Sequence, residues 1–152
     1  MKKVLLFGVM CLMALTMQAQ RCAVFQFNAG TGLTQESVDG IFYIFTSNFY
    51  PQDYTMLERA DIDKTIKKFD YPRTNMKQQE MLRVGRTLNA SIIVVGEMTV
   101  FMDEYSVDVR AIDVATGATV ASESASFERT KYRDNMKKVA QRLAYKLSKV
   151  ER

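Results

Sequence analysis

From Asn89 to Phe127 the chain alternates apolar and polar positions in a way that predicts three consecutive antiparallel strands. Ile92, Ile93, Val94 and Val95 are apolar on both faces, which places the first strand, over 90–102, near the centre of a sheet. Asp103-Glu104 is expected to turn the chain. In the second strand Tyr105, Val107, Val109 and Ala111 alternate with Ser106, Asp108 and Arg110, one dry face and one wet. Ile112 and Val114 fall on the opposite phase, so either a bulge or cover on both faces is expected there. Thr116-Gly117 makes the next turn, and the small and polar residues over 118–128 read as an edge strand whose wet face carries Ser122, Ser124 and Ser126.

The flanking segments follow a helical period. Val38, Ile41, Phe42, Phe45 and Phe49 form one stripe, with Thr34 as a cap, Leu33 placed to staple against Val38, and Pro51 as a stop. Gly40 inside it costs about 1 kcal/mol relative to alanine, less than a phenylalanine-rich face supplies. Ile62, Ile66 and Phe69 predict a short helix over 60–69. Met81, Val84 and Leu88 predict another over 76–88, capped by Thr74 or Asn75 and ended by Asn89. Met136, Val139, Ala140, Leu143, Leu147 and Val150 make the strongest stripe of all. With strands at 23–27 and 54–57, and an exposed loop over 70–75, the order is βαβααβββα. This is an α/β (α+β) chain with a single mixed β-sheet and helices packed on it.

The first nineteen residues are of another kind. Lys2 and Lys3, an apolar run from Val4 to Met17, and Met17-Gln18-Ala19 predict a cleaved secretory signal over 1–19, with one domain over 20–152. The run is shorter than the roughly 20 residues that span a bilayer, so no transmembrane segment is expected in the mature chain. Neither Cys11 nor Cys22 follows a lipobox, so an outer-membrane lipid anchor is the less expected fate. A mature chain with Cys22 alone forms no internal disulfide, and Cys22 reads as a small apolar member of the first strand.

Charge and chemistry refine this picture. The whole chain carries 21 Lys and Arg against 17 Asp and Glu, but nine of the basic residues and only two acids lie over 129–152. Lys137, Lys138, Arg142 and Lys149, with Tyr145, make one basic face of the last helix a candidate partner-binding surface. In an exported protein nucleic acid is not the expected ligand. Without histidine, imidazole metal sites and acid-base dyads are excluded. Asp61 and Asp63 point to different sides of a helix and suit its first turn better than a metal site. Glu97 reads as a solvated strand carboxylate. The serines lack an activating partner. The turn Gly30-Thr31-Gly32 with Thr34 is the alternative, a small-ligand site for phosphate or nucleotide, yet it lacks the third glycine of a dinucleotide fingerprint and the Gly-Lys of a P-loop. No metal or cofactor is expected.

An ordered set of segments carries a family likeness. Ala23-Val24-Phe25-Gln26-Phe27-Asn28 before the glycine turn, Leu57-Glu58-Arg59, Leu88-Asn89-Ala90-Ser91 running into Ile92–Gly96, and Val107–Gly117 together resemble the curli-assembly (CsgG-type) family. Its relatives include the penicillin-binding-protein activator lipoprotein LpoB and the amino-terminal domain of TolB. The resemblance implies an anticodon-binding-domain-like fold, a periplasmic location, and action through contact with an envelope or cell-wall-synthesis protein rather than by catalysis. It implies no catalytic residues. The connections near Asp103 and Ser122 are too short for membrane-crossing hairpins, so a secretion pore is not expected. A self-assembling envelope scaffold, and with it a homo-oligomer, stays open.

Overall fold

The computed structural model describes residues 20–151, so the signal expected over 1–19 lies outside the described residues. Six strands and four α-helices are present among them. In chain order they are β1 (Gln20–Val24), β2 (Asn28–Ala29), α1 (Gln35–Thr46), β3 (Tyr54–Met56), α2 (Arg59–Lys68), α3 (Gln78–Thr87), β4 (Ile92–Phe101), β5 (Glu104–Asp113), β6 (Thr119–Glu128) and α4 (Tyr132–Ser148). The sheet runs β3-β1-β4-β5-β6, with β2 also paired to β4. β1 is parallel to β3 and β4, whereas β4, β5 and β6 are successively antiparallel. The fold is therefore α+β on a mixed sheet, and the expected order holds once β2 is added.

Period-two alternation decides which core each strand residue joins. Cys22, Val24, Ile92, Val94, Met98, Tyr105, Val107, Val109 and Ala111 lie with the inner faces of α1 and α4. Ala23, Phe25, Ile93, Val95, Ile112 and Val114 lie on the other face with Ile62 and Ile66 of α2 and Leu82 and Val84 of α3. The phase change expected at Ile112 and Val114 is thus cover on the second face, and the β5–β6 register also shifts between Ala111 and Ile112. That second face is covered only at one end. Beyond Val95 it presents Glu97 and Phe101 of β4, Glu104, Asp108 and Arg110 of β5, and Ser122, Ser124, Ser126 and Glu128 of β6, all exposed.

Local chemistry explains the helix ends. The Thr34 hydroxyl accepts from the Ser37 amide, and the stripe Val38, Ile41, Phe42, Phe45 and Phe49 is buried, with Phe27 against the rings of Phe42 and Phe45 at 5.1 and 4.9 Å. α3 ends in a Schellman motif: Asn89 takes φ +53, its amide reaches the Arg86 carbonyl and the Ala90 amide reaches the Gly85 carbonyl. Its other end differs from expectation. The cap position is Lys77, whose amide donates to the Glu80 carboxylate at 2.8 Å, while Asn75 takes φ +57 and donates its amide to the Asn28 side chain. The Glu80 carboxylate thus takes the role expected of Thr74 or Asn75.

Other bounds move as well: the first strand, expected over 23–27, is Gln20–Val24. Phe101 pairs with Glu104, so the β4–β5 turn is Met102-Asp103 and Glu104 belongs to the strand. Ser122 lies inside β6 rather than near a connection. Asn28 and Ala29, expected as part of a break, pair with Glu97 and Met98.

Candidate functional site

Met136, Val139, Ala140, Leu143 and Leu147 seat α4 in the core, which turns the opposite side of the helix to solvent. Two shallow grooves border that side. One, of about 520 Å³, runs between α4 and the segment after α1, where Lys137, Gln141 and Tyr145 face Asn48, Tyr50 and Gln52. The other, of about 580 Å³, is formed by Lys138, Gln141, Arg142, Tyr145 and Lys146 beside Glu123 of β6. Tyr145 is common to both and is 65% exposed; Tyr50 across the first groove is 73% exposed. Exposed tyrosines offer apolar area at small entropic cost together with a polar tip.

The predicted basic residues do not play equal parts. Glu123 is buried on the α4 side of β6, and Lys146 and Arg142 reach its carboxylate at 2.6 and 3.5 Å. Lys146 also donates to the Ser122 carbonyl at 2.6 Å. Arg142 is thereby partly committed to holding α4 on the sheet edge. Lys149 places its ammonium 5.3 Å from the centre of the Tyr145 ring, a cation–π arrangement. Lys137 and Lys138 are exposed and make no ion pair or hydrogen bond among the described residues. The structure thus brings Lys137, Lys138, Tyr145 and Lys149 together as an accessible cationic and aromatic surface, with Arg142 at its anchored edge. Tyr50, Gln141 and Lys146 join it without having been singled out from sequence. Tyr50 is brought in by folding alone, whereas Lys146 carries the same signal as its basic neighbours.

Gly30, Thr31, Gly32 and Thr34 have a structural use. A side chain on Gly30 would meet Thr99 at 2.6 Å, and one on Gly32, at φ +81, would meet the Val100 carbonyl at 2.8 Å. The Gly30 amide donates to the Met98 carbonyl, and the Thr31 carbonyl accepts from Val100. The turn lies against β4 and lines neither groove of α4.

The remaining candidates resolve simply. Asp63 accepts two hydrogen bonds from Arg59, the shorter at 2.7 Å. Glu97 is exposed. Ser124 donates to Asp108, and the Ser106 and Ser126 hydroxyls are 2.9 Å apart. Cys22 lies between Met56 and Ile92 in the sheet centre, and burial pushes its thiol up to about 12. Among the described residues no three His, Cys, Asp or Glu side chains group as metal ligands, and no helix is long and apolar enough to cross a membrane.

A mixed sheet in this strand order, with helices on both faces, is an LpoB/TolB-like fold. No protein-family model matches the sequence, and no curated protein matches it. Among solved structures, the LpoB C-terminal domain from Escherichia coli matches with a TM-score of 0.57 at 11% identity, over 72% of this chain and 83% of that one. TolB from Acinetobacter baumannii matches with a TM-score of 0.55 at 14% identity, over 86% of this chain but 29% of that chain. Lipoprotein GNA1162 from Neisseria meningitidis matches with a TM-score of 0.54 at 12% identity, over 71% of this chain and 79% of that one. At these identities the likeness concerns the fold.

Proposed function

We propose that this protein is a non-catalytic, periplasmic interaction module of the bacterial cell envelope that docks an acidic surface of an envelope or cell-wall-synthesis protein on the outer side of α4. The observation that carries the reading is the pairing of exposed Tyr145 with Lys137 and Lys138, two cations with no counter-charge of their own. Aromatic anchors flanked by cations give a contact both area and steering. The fold shared with LpoB and with a neisserial lipoprotein supports the same setting. A secreted chain would reach it through the leader read over residues 1–19.

The test is charge reversal at Lys137 and Lys138 together, Lys137→Glu with Lys138→Glu, leaving Arg142 in place because a glutamate there would face Glu123. Co-purification of a defined envelope protein from periplasm should be lost in the double variant with the circular dichroism spectrum unchanged. Undiminished recovery of the same protein would reject the surface.

A further inference from the structure

A separate pocket of about 580 Å³ lies off the carboxyl ends of the parallel strands β1 and β3, between α1 and α2. Its volume is that of a small-molecule site. Asp39, Phe42, Tyr43 and Thr46 face it at helical spacing from α1, and Met56, Leu57 and Ile62 face it from the β3–α2 side. Phe42, Phe49 and Ile62 make its floor buried and apolar, while Tyr43 and Tyr50 stand exposed at the rim.

Its polar groups differ in how far they are already used. Arg59 is spent: it donates to the Val24 carbonyl at 2.9 Å and to Asp63 at 2.7 and 3.1 Å, and lies over the Phe42 ring. The Asp39 Oδ1 accepts from Gln26 at 2.6 Å and Gln35 at 2.9 Å. Of the two guanidinium groups Arg73 is the one with donors to spare, its ion pair to Asp63 being 3.7 Å long. An apolar cleft that offers one uncommitted guanidinium matches a ligand with an apolar body and a single carboxylate. The Asp39 carboxylate in the same lining disfavours a second negative charge.

We propose that this pocket binds a small hydrophobic monocarboxylate, its apolar chain on Phe42, Phe49 and Ile62 and its carboxylate on Arg73. The site shares only Tyr50 with the grooves of α4, so it stands or falls independently of the docking surface.

The test titrates the purified chain with decanoate and with decylammonium, both below their micellar concentrations, by isothermal calorimetry. Saturable one-to-one binding of decanoate, at least tenfold tighter than decylammonium, is expected. Arg73→Gln should remove that preference, Thr46→Trp should block the cleft to both ions, and Arg110→Gln, on the uncovered sheet face, should change neither. Circular dichroism confirms that each variant folds; should Thr46→Trp not fold, Tyr43→Trp at the rim serves in its place. Equal affinity for the two ions, binding that survives the tryptophan, or no saturable binding would each overturn the proposal.

Discussion

The two polar surfaces of this molecule, the outer side of α4 and the uncovered end of the second sheet face, are equally open to solvent but chemically opposed. On the sheet, Ser124 donates to Asp108, the Ser106 and Ser126 hydroxyls pair, Glu128 meets Lys131, and Arg110 shares the face with Glu97, Glu104 and Asp108. On α4, Lys137 and Lys138 have no partner among the described residues, and Tyr145 projects between two grooves. Exposure alone therefore does not mark a contact site. What separates the two surfaces is the sign of the charge beside the aromatic area: Lys137 and Lys138 flank Tyr145 on α4, whereas Phe101 on the sheet shares its face mainly with acids.

That contrast can be broken from beneath first. Leu143 is fully buried under α4, so Leu143→Ala should cost about 2–5 kcal/mol in urea unfolding. Loss of less than 1 kcal/mol would mean that α4 is not seated as described. Cys22, in the sheet centre, gives a second handle through pH. Its thiol is raised from 9.0 to about 12, so above pH 9 the unfolded chain releases a proton that the folded chain retains. Stability is complete below pH 9 and declines as pH rises toward 12, with a slope of up to about 1.4 kcal/mol per pH unit. Comparing wild type with Cys22→Ala over this window isolates that component, and parallel pH curves for the two would contradict the burial.

Glu123 tests the anchoring of the basic face. Glu123→Gln removes the charge that Lys146 and Arg142 address, and because both cations are about half exposed the expected loss is about 1 kcal/mol. It should also loosen the last turns of α4, read as faster amide exchange there. The smallest effect belongs to the bare sheet: Asp108→Ala should stay within about 0.5 kcal/mol of wild type. A larger loss would make the serine-acid ladder structural rather than merely wet.

Much of this was legible in the residues. The alternation from Tyr105 to Ala111 declared one dry face, and the stripe from Met136 to Leu147 declared how α4 sits, because each period reports a single boundary between core and water. β2 was not legible: two residues carry no period, and Asn28-Ala29 pairs with β4 because the glycine turn beside it can press close. The cap of α3 was missed because the Glu80 side chain, not the cap residue, supplies the oxygen. Glu123 was hidden among serines, although it shares the phase of Ala121 and Phe127 and so points inward with them. The cleft of Phe42, Leu57 and Arg73 joins three segments distant in the chain, and no local pattern reports such a meeting.

The most direct measurement places a photo-crosslinking phenylalanine analogue at Tyr145 or at Ser106 in producing cells. A discrete adduct with an envelope protein is predicted at 145, absent at 106, and lost when Lys137 and Lys138 are both glutamate. Adducts at 106 with none at 145 would contradict the assignment of α4 as the contact surface.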